Sequence, residues 1–140
     1  EFLKEKNFKT LRLSLETIDE ERRKESGFKV SFPEFENAVK NLVDAGFTKD
    51  EIGVYILAGL PSQNPYEVIK TIKILKNYPC KIKIAEYSPI PGTIDYEISK
   101  KLYPELPLEN PLFQNNSIFP LWNFENKWEI INQLKIEVKS

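Results

Sequence analysis

Strand-like and helix-like segments alternate three times along this chain, and this order constrains its fold more than any other sequence feature. Residues 10–17 and 81–87 alternate apolar and polar side chains with the two-residue period of a β-strand. Residues 53–61 form an apolar run closed by a glycine and a proline, which is typical of a buried parallel strand. Each strand pattern is followed by apolar residues at helical spacing. This order predicts an α/β fold in which three parallel strands are each followed by a helix.

The helical segments carry their own start and stop signals. Pro33 suits the first turn of a helix, and Gly46 lies where a helix C-terminus prefers glycine. Pro79 ends the second helix pattern, and the Thr93 side chain can cap the third. In that third helix we expect a shared apolar face, formed by Ile94, Ile98 and Leu102.

The last quarter of the chain differs in composition from the rest. Residues 103–120 contain four prolines and several asparagines, which predicts a long and largely irregular connection. A last helix pattern follows, with apolar positions at Phe124, Trp128, Ile131, Leu134 and Val138. We therefore divide the chain into residues 1–103, which hold the three β/α units, and residues 104–140, an irregular connection and a C-terminal helix. We expect that helix to pack back across the open side or the bottom of the sheet.

The charge balance excludes two classes of partner. Lys and Arg total 20 against 21 Asp and Glu, so no large field of one sign exists to attract nucleic acid or an anionic membrane. No apolar run approaches the roughly 20 residues that span a bilayer. Residues 1–6 also lack the apolar stretch of a signal peptide. We therefore expect no nucleic-acid partner, no membrane partner and a cytoplasmic location.

The cysteine and histidine counts exclude several kinds of chemistry. With one cysteine and no histidine, the chain has neither an internal disulfide nor the commonest metal ligand and general base. Cys80 lies between a helix pattern and a strand pattern, where a small buried thiol is ordinary. We predict no catalytic residue and no metal ligand. Because the chain starts at Glu1 and contains no methionine, we expect it to be a piece of a longer protein.

Candidate ligand-binding residues are expected beyond the C-terminal ends of the strands, where parallel sheets and barrels bind ligands. This rule selects residues 14–17, 58–63 and 86–93. Arg12, Ser14 and Glu16 give the first strand a polar face, which fits either a wet barrel lumen or the exposed face of a two-layer sheet. Gly59 permits close approach of a ligand or merely a turn. Residues 86–93 fit either a ligand loop or a rigid proline turn.

The order of these segments resembles a known family. Residues 12–17 (Arg-Leu-Ser-Leu-Glu-Thr), 44–47, 55–61 and 86–93 are similar to strands four to six of radical S-adenosylmethionine (SAM) proteins. The resemblance covers roughly residues 8–103 and is strongest to members that often carry a cobalamin-binding domain. It implies that the chain supplies the latter half of a partial TIM-type barrel of six β/α units.

The resemblance also implies which residues would face the cofactor and the substrate. The cofactor-binding candidates are Ser14, Glu16, Lys29, Gly59, Leu60, Tyr87 and Ser88. The substrate-side candidates are Arg12, Gln63, Pro91 and Gly92. One family motif, Gly-x-Ile-x-Gly-x-x-Glu on strand five, is only half kept. Gly59 stands at its second glycine, but the other motif positions are occupied by Tyr55, Leu57 and Ser62.

The cofactors implied for the parent protein are SAM and a four-iron four-sulfur cluster, with cobalamin as a further candidate. The family holds the cluster with Cys-x-x-x-Cys-x-x-Cys, which has no counterpart here, so we expect no cofactor on this chain and no activity from it alone. The implied partner is the missing N-terminal half of the barrel.

Two other interpretations remain open. The chain fits half of an ordinary β/α-barrel enzyme that uses Glu16 as a general acid or base beside Lys29 or Arg12. It also fits a non-catalytic interaction module, because the first strand of a half barrel has an unpaired edge that invites self-association.

Overall fold

The computed structural model describes residues 1–27, 29–114 and 119–140. It contains one parallel sheet of three strands, β1 (Leu11–Glu16), β2 (Ile52–Ala58) and β3 (Lys81–Glu86), in the order β1-β2-β3. The helices are α1 (Phe2–Glu5), α2 (Glu20–Glu25), α3 (Phe32–Asp44), α4 (Pro65–Leu75), α5 (Ile94–Leu102) and α6 (Lys127–Lys139), with a 3₁₀ turn at Pro111–Gln114. The α/β prediction is confirmed, and the arrangement is consistent with half of a barrel-like fold.

Side-chain caps fix where the helices begin. Ser31 and Glu34 form a reciprocal capping box at the start of α3, and Asn64 and Glu67 form another at the start of α4. The predicted cap of α5 is confirmed, because the Thr93 hydroxyl accepts a hydrogen bond from the Tyr96 backbone N–H at 3.2 Å. The caps of α4 and α5 start these helices soon after β2 and β3, whereas α2 lies between β1 and α3.

The sheet has one covered face and one open face. Leu15, Val54 and Ile56 on the covered face are at most 1% exposed and join the main core. Helices α3, α4 and α6 pack on this face, against β1, β2 and β3 respectively. The open face carries Arg12 and Ser14 of β1, Tyr55 of β2 and Lys83 of β3. The period-two pattern of β1 is therefore confirmed, with its polar residues on the open face.

Two predicted apolar stripes are wrong in part. In α5, Ile94 and Leu102 are 54% and 49% exposed, while Asp95, Tyr96 and Ser99 are buried. The Asp95, Tyr96 and Ser99 face points inward because the Tyr96 ring packs with Leu60 and Tyr87 in a second hydrophobic core. The buried Ser99 hydroxyl has a hydrogen-bond acceptor within the helix, since it donates to the Asp95 carbonyl at 2.5 Å.

In α6, Ile131 and Leu134 are buried as predicted. Trp128 lies in the first turn of α6 and is 55% exposed.

The described part of residues 103–122 fills this second core, which lies at the C-terminal ends of β2 and β3. Leu60 and Tyr87, which directly follow these ends, pack with Leu108 and Leu121. Leu57, Tyr103, Leu106 and Phe113 pack around them. The proline-rich connection therefore lies over the region where two of the three predicted ligand loops begin.

No helix in the described part of the chain combines the length and the apolar character that crossing a membrane requires.

Candidate functional site

The C-terminal end of β1 carries a strained turn centred on Glu16. The Thr17 N–H donates to the Leu15 carbonyl at 2.7 Å, which closes a three-residue turn, and Glu16 has a φ of 66°. The pairing of β1 with β2 also shifts register between Ser14 and Glu16. A non-glycine residue at positive φ costs on the order of 1–3 kcal/mol, and such residues cluster at functional sites. The strain therefore marks this strand end as a candidate site.

Three predicted site residues meet at one cavity beside β1. Arg12, Ser14 and Lys29 line a cavity of about 390 Å³. Its other lining residues are Leu13, Val30, Glu34, Phe35 and Ala38. Lys29 and Ser14 come from separate elements, so their meeting is a property of the tertiary structure. We refer to Arg12, Ser14, Glu16 and Lys29 as the open group.

Cations flank an aromatic ring on the open face. The guanidinium carbon of Arg12 lies 5.9 Å from the centre of the Tyr55 ring, and the Lys83 ammonium lies 5.8 Å from it. Neither cation has a carboxylate within 4 Å among the described residues, whereas Lys81 pairs with Asp50 at 3.1 Å. The open face is therefore locally basic although the whole chain is nearly neutral.

A second set of predicted residues, Gly59, Leu60 and Tyr87, is covered by the chain itself. Gly59 has a φ of 96°, and a Cβ placed there would lie 3.0 Å from Cδ1 of Phe119. Leu60 is fully buried, and Tyr87 is 8% exposed. We refer to these three residues as the covered group. The Phe119 ring therefore lies against Gly59, which is the residue for which the resemblance implies a cofactor contact.

Gln63 holds the loop after β2 in shape. Its Oε1 accepts hydrogen bonds from the Gly59 and Leu60 N–H groups at 2.8 and 3.2 Å, and its Nε2 donates to the Leu57 carbonyl at 3.1 Å. These three bonds satisfy backbone groups that the turn would otherwise bury unpaired. The structure therefore shows a structural role for Gln63, while its substrate-side role stays a prediction.

The remaining predicted residues lie in the loop after β3. The Ser88 hydroxyl donates to the Gln114 carbonyl at 3.1 Å, which ties this loop to the 3₁₀ turn. Pro91 and Gly92 are exposed, and Gly92 has a φ of 85°. The structure does not bring Pro91 and Gly92 into the cavity beside β1.

Sequence reasoning missed Arg22, which links α2 to the loop after β2. Its Nη1 donates to the Pro61 carbonyl at 3.0 Å, and its Nη2 donates to the Ser62 carbonyl at 3.2 Å. Its Nε lies 3.7 Å from a Glu67 carboxylate oxygen. In the sequence Arg22 is one of several charged residues in a short helix, and nothing in that pattern distinguishes it.

Sequence reasoning also missed Asp95, a buried carboxylate near the strand ends. It is 5% exposed, and the Ser26 hydroxyl donates to its Oδ1 at 3.0 Å. Burial raises the pKa of Asp95, while the Ser26 hydrogen bond and the charge of Arg22 oppose that rise. Asp95 thereby links α5 to the end of α2.

The chemistry of the other groups is limited. Burial raises the pKa of the Cys80 thiol to about 11, so this thiol is unreactive near neutral pH. Among the described residues, no group of three or more histidine, cysteine, aspartate or glutamate side chains could hold a metal ion.

The Phe119 contact predicts a graded response to alanine at two glycines. Gly92→Ala should lower the free energy of unfolding by about 1–2 kcal/mol, because its positive φ disfavours a Cβ while no atom lies within 4 Å of one. Gly59→Ala should lower it by more, because the new Cβ also meets the Phe119 ring. Urea unfolding measures both; equal losses would contradict a close Gly59–Phe119 contact.

The raised pKa of Asp95 predicts a pH dependence. Above its ordinary value of 3.8, the carboxyl ionises more readily in the unfolded chain, so its contribution to stability is lost as pH rises through the folded-state pKa. Asp95→Asn cannot ionise and should gain stability relative to the native chain between pH 3 and pH 7. The free energies of unfolding of the native chain and of Asp95→Asn, measured at pH 3 and at pH 7, test this prediction. A stability difference between the two proteins that is the same at both pH values would contradict it.

Comparisons with known proteins show the fold. No family model matches the chain, and no curated protein matches it significantly. The structure is similar to that of archaeal Elp3 from Methanocaldococcus infernus with an N-terminal deletion of residues 1–46, with a TM-score of 0.57 and 22% sequence identity. The match covers 66% of this chain and 22% of the Elp3 chain, so it spans only about a fifth of that chain's length. At this identity, the likeness establishes a shared β/α architecture.

Proposed function

We propose that this chain is part of a radical SAM protein and forms one side of the site for SAM and substrate. The observation that carries the proposal is the likeness in fold to archaeal Elp3, a radical SAM family member, over 66% of this chain. The convergence of Arg12, Ser14 and Lys29 beside the strained end of β1 supports it. The sequence resemblance implies cofactor-side contacts for Ser14 and Lys29 and a substrate-side contact for Arg12.

The open group has the chemistry that such a site needs. The Ser14 hydroxyl and the Glu16 carboxylate can hydrogen-bond the ribose or the methionine part of SAM. The Lys29 ammonium can pair with the methionine carboxylate as a charge-assisted partner. Arg12 lies on the open face, below the strand end, on the side proposed for substrate. When SAM is bound to a reduced cluster, it supplies a 5′-deoxyadenosyl radical.

The covered group has a different part in this proposal. Because Leu60 is fully buried and the Tyr87 side chain is packed in the second core, these residues would support the shape of the site from behind. The same holds for Gly59, which Phe119 covers. Ser88 directly follows Tyr87, and its hydroxyl is bonded to the 3₁₀ turn. The covered group thus sets the shape of the site beside the open group.

We propose that the chain is inactive alone. Three thiolates hold the family's cluster, and this chain has one cysteine, which is buried and has a raised pKa. The cluster ligands, and any cobalamin-binding domain, would belong to other parts of the parent protein. The first half of the barrel would then complete the sheet beside β1.

The proposal predicts a weak and local response to SAM. Titrating the ¹⁵N-labelled chain with SAM should shift amide signals at Ser14, Glu16 and Lys29 without saturation at micromolar concentrations, because only one wall of the site is present. Lys29→Gln should abolish these shifts, because it removes the ammonium group that would pair with the methionine carboxylate of SAM. Lys40→Gln, an exposed lysine on α3, is the matched control and should retain them. Shifts confined to other strands would contradict the proposed site, and micromolar affinity would contradict an incomplete one.

Inactivity predicts a negative reconstitution with iron. After anaerobic incubation with iron and sulfide, the chain should retain no iron–sulfur cluster and should form no 5′-deoxyadenosine with SAM and dithionite. Cys80→Ser should behave identically, because the thiol is not a ligand. A cluster held by the native chain and lost in Cys80→Ser would contradict the proposal.

A further inference from the structure

A second cavity, of about 450 Å³, lies between the loop after β2, the end of α5 and the segment before α6. Its walls come from residues 62–64, from Leu102, Tyr103 and Glu105, and from residues 121–124. We refer to it as the connection cavity, because most of its walls belong to the connection or adjoin it. The connection cavity shares no lining residue with the open group. A ligand bound there would therefore use different side chains from those proposed for SAM.

Aromatic rings form part of the wall of the connection cavity. Tyr103 comes from the end of α5, while Trp122 and Phe124 come from the segment before α6. The ring centres of Trp122 and Phe124 lie 5.9 Å apart, with an angle of 36° between the ring planes. Aromatic rings attract cations through the negative charge on their faces. This wall therefore favours a positively charged ligand over a neutral ligand of the same shape.

The charge of the wall points to the same class of ligand. Glu105 is the one charged side chain among the described residues that line the connection cavity. Its carboxylate has no lysine or arginine nitrogen within 4 Å in the described part of the chain. The ammonium of Lys127, at the start of α6, is engaged elsewhere, because it donates to the Phe119 carbonyl at 2.8 Å. The cavity therefore offers a carboxylate that lacks a cation.

The Trp122 indole N–H adds a second requirement. Trp122 is 2% exposed, and its Nε1 has no hydrogen-bond partner among the described residues. The indole N–H can only donate, and buried donors in folded proteins are nearly always paired. An orphaned donor on a residue that lines a cavity therefore indicates an oxygen acceptor in the occupant. Ser62, on the facing loop, has a φ of 59°, and strain of this kind is common at ligand sites.

Other classes of ligand fit the connection cavity less well. An anion would be repelled by Glu105, which no cation of the wall neutralises. A hydrocarbon would leave both the Glu105 carboxylate and the Trp122 indole N–H without a partner, which is costly in a cavity closed to water. A ligand that joins a cation to an oxygen atom satisfies both groups.

We propose that the connection cavity binds a small alkylammonium compound that carries an oxygen acceptor, a class that choline represents. The ammonium group would lie beside Glu105 and against the Tyr103 and Phe124 rings. The ligand oxygen would accept a hydrogen bond from Trp122 Nε1. The inference goes beyond the proposed function and does not rest on it, since neither SAM nor a cluster takes part.

Choline and its neutral carbon isostere, dimethylbutanol, test this proposal directly. In a Trp128→Phe background Trp122 is the one remaining tryptophan, so its fluorescence reports on the connection cavity. Choline should change this fluorescence and should bind at least about tenfold more tightly than dimethylbutanol, because only choline carries the charge that the rings and Glu105 attract. Binding should also shift the amide signals of Tyr103 and Glu105 in the ¹⁵N-labelled chain.

Substitutions in the wall separate charge from shape. Glu105→Gln should weaken choline binding about tenfold and leave dimethylbutanol binding unchanged, since a charge-assisted contact is lost. Glu109→Gln is the matched control, because Glu109 is an exposed carboxylate of the same connection that does not line this cavity. Tyr103→Leu should weaken choline binding, and Tyr103→Phe should retain it, because the ring is kept.

Four results would overturn the proposal. The first two are absence of choline binding at millimolar concentration and equal binding of choline and dimethylbutanol. The third is displacement of choline by equimolar SAM, which would assign the connection cavity to the cofactor. The fourth is binding of phosphatidylcholine vesicles without binding of free choline, which would assign it to a lipid headgroup.

Discussion

Burial of one face of a three-stranded parallel sheet is the constraint on which the rest of this structure depends. Leu15, Val54 and Ile56 come from strands far apart in the chain and reach water-free positions only together. Once α3, α4 and α6 cover that face, the alternation of each strand places its other side chains on the open face. The basic and aromatic character of the open face is therefore a direct consequence of how the core is built.

Residues 103–122 divide the predicted site into two parts that differ physically. The open group lies at the end and the free side of β1, where polar side chains reach water and a cavity. The covered group lies at the ends of β2 and β3, where Phe119, Leu108 and Leu121 exclude water. The strand-end loops therefore contribute unequally: the end of β1 offers side-chain chemistry, whereas the loop after β2 is fixed in shape by Gln63 and is buried.

Arg12 and Ser14 of the proposed SAM site lie on β1, the strand beside which the first half of the barrel would complete the sheet. Their side chains lie on the open face, while their backbone groups point outward from the sheet. A strand added at β1 would therefore enclose the cavity that Lys29 lines and remove its polar groups from bulk water. Electrostatic contacts strengthen as water is excluded, so completion of the sheet and binding of an anionic ligand group would be mutually favourable. This coupling gives a physical reason why one wall of the site should bind weakly by itself.

The sequence by itself determined the strands, the capped helices, the parallel α/β architecture and the polar face of β1, because period, caps and glycine or proline stops act over a few residues. The sequence resemblance also indicated Ser14 and Lys29 as cofactor-side candidates. Only the tertiary structure decided which face of α5 is buried, that Arg22 links α2 to the loop after β2, and that Phe119 covers Gly59. These facts depend on contacts between residues as many as 60 positions apart, such as Gly59 and Phe119. The side chains that fill such contacts follow from the shape of the assembled core, which local pattern does not encode.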